Sequence, residues 1–233
     1  MNTLNETKEV GLLSKILSIF WEPSKTFESI SQKTHWWDVV VPILLITIVT
    51  WITIPYIVPV STEMAKDRIQ KSERLNEAQK EQALENIENQ KPVFRYVMPP
   101  ISNFIMILVI AAVMWMAGNF FLSGERKFLP VLGMTSYVYL INILASAIKT
   151  PLIVSKNSME VYTGLATIIP KSDSFVFRVA MHIDIFAVWK VVLLGIGLGI
   201  LYKTKQSRSL KVSFAIWIIY ILGASAAGGL SPF

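Results

Sequence analysis

Residues 39–60 read VVVPILLITIVTWITIPYIVPV, without one charged side chain. A run of this length crosses a hydrocarbon core of about 30 Å, which takes about 20 residues in helical form. Pro42, Pro55 and Pro59 lie inside the run or at its end. Prolines are tolerated in such helices when neighbouring groups satisfy the freed backbone. Four more runs of the same kind follow: Met98 to Leu122, Phe128 to Ile148, Ile183 to Tyr202 and Val212 to Leu230. All are uniformly apolar rather than alternating, which excludes a β-barrel pattern. An open sheet cannot satisfy its edges in lipid, so helices are expected. The expected fold class is therefore an all-α integral membrane bundle of five transmembrane helices.

Composition agrees. Of 233 residues, 53% are hydrophobic and 16% charged, against roughly 25% charged in soluble chains. Mean hydropathy is +0.50. These values exclude a secreted disulfide scaffold, a nucleic-acid module and a disordered tail. The net charge of +6 is spread in small groups between apolar runs, and reads as membrane orientation. Without cysteine there is no disulfide, thiol nucleophile or thiolate metal site.

The segment ahead of the first span, residues 1–38, has a different character. Val10 to Phe20 is too short to span. Leu13, Ile16, Leu17 and Phe20 recur at i, i+3, i+4 and i+7, with Ser14, Lys15 and Ser18 on other faces. That is an amphipathic helix lying in the membrane interface. Pro23 ends it, and a second short helix follows with Phe27 and Ile30 on one side. A signal peptide is the rival reading, disfavoured by Lys15 and by the lack of a small-residue cleavage site. Residues 39–233 form the membrane domain. It carries one long polar segment at 61–91, expected as a hairpin of two short helices near 63–74 and 77–89. Asn76 and Gln79 provide an N-cap with its back-reaching partner, and Pro92 is the stop. Ser123 to Lys127 is a tight turn. Lys149 to Ala180 is a longer connection punctuated by Pro151 and Pro170.

Basic residues do not fix the orientation by number: ten fall on one side of a five-span topology and eleven on the other. The two shortest loops break the tie, with Arg126, Lys127, Lys203, Lys205, Arg208 and Lys211 against the single acid Glu125. Short loops rich in Lys and Arg stay inside. The expected arrangement places the N-terminus in the cytoplasm and the C-terminus, with its charge-free Ser231 to Phe233, outside.

Motifs for chemistry are sparse. His35 and His182 precede the first and fourth spans and fall on opposite membrane faces in this topology, so no metal and no cofactor is expected. Neither a zinc-protease motif, a phosphate-binding loop nor a nucleophile elbow is present. Asp184 and Lys190 are the ionisable residues of the fourth span, and such groups are functional candidates by default. They are six positions apart and do not face each other on a helix. A structural reading has Asp184 capping the span and Lys190 pairing with a neighbouring helix. A functional reading makes them a polar track for ions or protons. Asn119 and Asn142 join them as intramembrane polar candidates. Gly195 and Gly199, four apart, allow close helix packing, as do Gly133 and Ser136. Trp36, Trp37 and Trp189 serve as interface anchors.

Several of these stretches together resemble a known family. Trp21-Glu22-Pro23-Ser24-Lys25-Thr26-Phe27, followed by His35-Trp36-Trp37, is similar to the opening of bacterial Yip-domain (Ypt/Rab-GTPase-interacting) proteins. Asp184-Ile185-Phe186-Ala187-Val188-Trp189 leading into Gly195-Ile196-Gly197-Leu198 carries the most specific likeness. Gly118, Phe128, Gly133 and Ser136-Tyr137 loosely resemble the second and third spans. The likeness implies a five-span bundle with a cytosolic N-terminus. Eukaryotic members of that family bind Rab GTPases and act in vesicle traffic. The long hydrophilic N-terminal region and the acidic stretch before the first span are absent here. These departures argue against a Rab-type partner and favour a bacterial inner-membrane member. The function expected is a non-enzymatic adaptor or scaffold that assembles with itself or other membrane proteins through small-residue faces, in contact with membrane lipids and without nucleic acid. The alternative is a small transporter, channel or lipid-handling protein that uses Asp184 and Lys190.

Overall fold

The computed structural model describes residues 11–122 and 124–228. Lys8, Val10, Ser123, Gly229, Leu230 and Ser231 to Phe233, which carried parts of the sequence reading, lie outside them. The described chain is helical, and its one β-type pairing is an isolated bridge between Gly164 and Asp184. The helices are α1 (Leu12–Trp21), α2 (Pro23–Gln32), α3 (Trp37–Lys71), α4 (Glu77–Glu88), α5 (Pro92–Phe121), α6 (Phe128–Val138), α7 (Ile141–Lys156), α8 (Phe175–Met181), α9 (Ile185–Leu201) and α10 (Gln206–Gly228).

Four stretches are long and apolar enough to cross a membrane: Trp37–Lys71, Pro92–Phe121, Phe128–Lys156 and Gln206–Gly228. The fourth expected span is α9, an apolar helix of 17 residues, at the short end of the spanning range. An all-α membrane bundle is therefore the architecture, as the apolar runs require.

The elements differ from the sequence reading in four places. The first span does not stop at Val60. It continues to Lys71 as one 35-residue helix, about 50 Å long. The expected helix at 63–74 is thus the extension of α3, because Ser61, Thr62 and Glu63 contain no breaker. Helix α4 is separate, opened by a complete capping box between Asn76 and Gln79. Pro92 does more than stop α4: it is the first residue of α5, where its missing N–H costs nothing. The third span is not continuous. Thr135 and Ser136 donate their hydroxyls to the carbonyls of Val131 and Leu132 at 2.8 Å, a pattern that bends helices. Leu140 N–H then bonds Tyr137 O, three residues back, and α7 restarts at Ile141. Finally, Pro151 sits inside α7, so the connection expected from Lys149 begins only after Lys156. Asn157 turns the chain there with φ 46°.

The chain divides into two compact units. The first comprises Met1–Ile43, Ile107–Leu140 and Val191–Phe214. Its centre is α6, whose residues 131–138 are all buried. Ile19, Phe27, Ile30, Met134, Tyr137 and Leu198 are fully enclosed. Helix α1 packs on α2, and both pack on α6. The second unit comprises Leu44–Met106, Ile141–Lys190 and Ala215–Phe233. Its apolar clusters are smaller. Val60, Ile153 and Val161 form one. Ala166, Phe177 and Ala180 form the other, with Tyr162 and Ile169 against it.

Candidate functional site

The first unit holds a buried ion pair that the sequence reading did not single out. Helix α1 turns Lys15 and Ile19 inward, at 7% and 0% exposure, and leaves Leu13 and Trp21 at 70% and 82%. Its protein-facing side is therefore the one with the lysine. Its apolar edge is bare, as suits a helix resting in the lipid interface. Lys15 Nζ donates to Asp38 Oδ1 at 2.8 Å. Asp38 Oδ2 accepts the His35 N–H at 2.9 Å. The Tyr137 hydroxyl lies 3.4 Å from Asp38 Oδ1, and Thr26 Oγ1 donates to Lys15 O at 2.9 Å. Asp38 is in the first turn of α3, where the helix dipole favours a carboxylate. Gly133 lies beside the pair, where a Cβ would make ordinary van der Waals contact, 3.4 Å from Thr34 Cγ2 and 3.8 Å from Asp38 Cβ.

The small residues chosen for packing are used inside the chain. A Cβ on Gly195 would meet Leu210 Cδ2 at 2.6 Å and Leu210 Cα at 3.0 Å, and one on Gly199 would meet Ser209 Oγ at 2.8 Å. Both glycines face α10. Gly197, about 200° round the helix from Gly195, faces Met134 and Phe27 instead. The face that Gly195 and Gly199 present is thus in contact with α10 of the same chain. Ser136 spends its hydroxyl on its own helix. Asn119 fastens a loop. Its Oδ1 accepts the Arg126 N–H at 3.1 Å and the Tyr202 hydroxyl at 2.9 Å, while Trp115 Nε1 donates to Arg126 O at 2.6 Å. Trp36 and Trp37 stack at 3.6 Å between ring centroids and are half-exposed. Trp189 is partly buried.

The second unit holds the other two ionisable candidates, each with its own partner. Asp184 is the N-cap of α9, with Oδ1 accepting the Ala187 N–H at 2.7 Å. Its Oδ2 accepts from Lys149 Nζ at 2.7 Å. The Lys149 ammonium also lies 5.7 Å from the Phe186 ring centroid, within cation–π range. Lys190 Nζ donates to Asn142 Oδ1 at 2.9 Å. The sequence places Lys149 and the Gly164 loop in the connection from Lys149 to Ala180 but gives no sign that either meets Asp184. The loop passes so close that a Cβ on Gly164 would lie 2.0 Å from Ile183 O, and Leu165 N–H bonds that carbonyl at 3.1 Å. Beside this cluster, a cleft of about 280 Å³ opens among α3, α5 and α7. Its polar wall comprises Thr50, Asn103, Asn142, Ser146, Lys149 and Thr150, and the rest is aliphatic. Asn103 Nδ2 donates to Thr50 Oγ1 at 3.1 Å across it.

Also in the second unit, the end of α3 and α4 form an arm. Lys66 pairs with Glu88 at 2.9 Å, and Arg95 donates to Ile87 O at 2.7 Å. Glu77, Glu81 and Glu85 recur every fourth residue along α4 and therefore share one edge. They border an open groove of about 780 Å³ together with Gln70, Lys80, Leu84 and Glu88. In the connection after α7, Lys171 Nζ lies 2.6 Å from Glu160. That bond holds the lysine's pKa above its usual value. His182 meets the ring of Tyr220 edge-on at 5.7 Å. No group of three or more metal-ligating side chains occurs among the described residues.

No curated protein and no solved structure matches the chain. The profile of the Yip1 domain matches residues 17–227, which take in Asp38 but not its partner Lys15, and include the Gly-rich α9 and the Asp184 cap. The chain belongs to the Yip1-domain family.

Proposed function

We propose that this protein is a non-enzymatic membrane adaptor, set in a bacterial inner membrane with its N-terminus in the cytoplasm, which engages a partner membrane protein through the α3–α4 arm. The observation that carries the reading is the arm itself. Helix α3 runs about 50 Å, well beyond the length a bilayer core takes up. The excess is charged, folded back on α4, and tied by the Lys66–Glu88 pair. A structure built only to span has no use for it. The acidic edge of Glu77, Glu81 and Glu85 suits a basic segment, such as those that flank membrane spans. The ionisable residues within the spans contribute pairs and caps.

The test is photocrosslinking in cells from position 81, with mass spectrometry of the adducts. A single protein adduct is expected from the parent chain and is expected to vanish when Glu77→Lys and Glu85→Lys are introduced together. Exposed charges are screened by salt, so capture from isolated membranes should also fall at high ionic strength. An adduct insensitive to both changes would remove the arm's acidic edge from the account.

A further inference from the structure

We infer that the cleft among α3, α5 and α7 is a binding site for a phosphate group, carried on an anionic phospholipid whose headgroup enters between the helices. The inference stands on the second unit alone and does not depend on the adaptor reading.

The cleft holds about 280 Å³, room for several waters at about 30 Å³ each. It lies among apolar helices, where polar side chains are stable only when hydrogen-bonded. Its polar wall is mostly donors. Lys149 has three N–H donors and gives one to Asp184 at 2.7 Å. A second acceptor can bind without breaking that pair. Asn142 accepts from Lys190 through its oxygen, which turns the amide so that its NH2 remains a donor. Ser146 and Thr150 add hydroxyls. A lysine ammonium, an amide NH2 and two hydroxyls are the donor set that charge-assisted phosphate recognition uses. The remaining wall is aliphatic and suits the glycerol and first methylenes of a lipid, not a hydrated ion. Asp184 does not oppose the ligand directly: it is absent from the cleft wall, and both its oxygens are engaged, one by Lys149 and one by the Ala187 N–H.

The test uses the full chain in nanodiscs of equal phosphatidylglycerol and phosphatidylcholine, with native mass spectrometry of the lipid each protein molecule keeps. Both lipids carry the phosphate, but the choline ammonium of phosphatidylcholine offsets its charge beside Lys149, so phosphatidylglycerol is expected to be retained over it by roughly tenfold. Ser146→Phe fills the cleft without removing a charge and should bring the ratio to about one. Lys149→Gln with Asp184→Asn neutralises the pair while keeping a good helix cap, and should do the same. Both variants are checked by thermal unfolding without added lipid, so that loss of selectivity is read only on folded protein. Inorganic phosphate is the second arm. A ratio of one with thermal protection of the parent chain, but not of Ser146→Phe, by inorganic phosphate would assign the same site to free phosphate. A ratio of one without that protection, or a tenfold ratio undiminished in a folded Ser146→Phe, would overturn the inference.

Discussion

Asp38, Asp184, Lys15 and Lys149 show how single residues hold a bundle that has little water to lean on. Each acid sits at the start of a helix, and each is met by a lysine from another helix at 2.7–2.8 Å. Breaking a buried pair from one side leaves an uncompensated charge and costs about 3–5 kcal/mol. Lys15→Ala is therefore expected to lower the unfolding free energy by about that much. Lys15→Met with Asp38→Leu should recover most of it, since well-packed apolar replacements of a buried pair are often neutral. Thermal or denaturant unfolding in detergent separates the two outcomes. Gly164→Ala is expected to cost about 1–3 kcal/mol, the range for overpacking, because the new methyl would meet backbone at Ile183 O and cannot be relieved by a rotamer change. Asp184 and Lys190 were visible in the sequence because charges stand out in apolar runs. Their partners were not: Lys149 is 35 residues from Asp184 and Asn142 is 48 from Lys190, and no local pattern links them. In the sequence Lys15 stands with Ser14 and Ser18 away from the apolar face of an amphipathic helix, because periodicity finds the face that differs from its surroundings without saying which solvent each side meets.

Among the elements, α3 departs most from its sequence reading. Hydropathy marks where apolar residues stop, not where a helix stops, and nothing after Val60 breaks the hydrogen-bond ladder until Ser72. Thr62→Pro discriminates the two views. If α3 is one helix, proline there removes a bond to Val58 O and costs about 3 kcal/mol or more. If a separate helix began near residue 63, proline at its start would be tolerated. Loss of helical circular dichroism and a lower melting temperature in the variant are the expected result. The interruption at Tyr139 and Leu140 escaped the sequence for the opposite reason. No glycine or proline marks it, and two hydroxyls turned onto their own helix precede it. By contrast the caps were legible. Asn76 with Gln79 is a short-range device, and short-range devices survive translation from sequence to structure. Gly195 and Gly199 stand against α10, and sequence spacing does not distinguish a helix of the same chain from that of another. Gly195→Leu is accordingly expected to impair folding of the monomer, seen as loss of monodisperse protein on size exclusion at concentrations where any oligomer has dissociated.

For the whole molecule, the absence of cysteine makes topology directly measurable. Single cysteines at Glu81 and Lys205 should react with a membrane-impermeant maleimide from opposite sides, position 81 in intact cells and position 205 only after lysis. Labelling of both from one side would refute the proposed orientation and the five-span count together. Apolar composition made the membrane class legible, since each run must be long enough to cross whatever its neighbours are. The ion pairs were hidden because they join distant parts of the chain, and that distance also has a meaning during synthesis. Asp38 and Tyr137 are 99 residues apart, and ribosomes add about 5–20 residues per second. For roughly 5–20 s, then, α1 and α2 exist without the helix that completes the surroundings of Lys15. Until α6 has been made, the pair of Lys15 and Asp38 stands without the buried helix that carries Tyr137, so the shielding of that pair from water is among the later events of assembly.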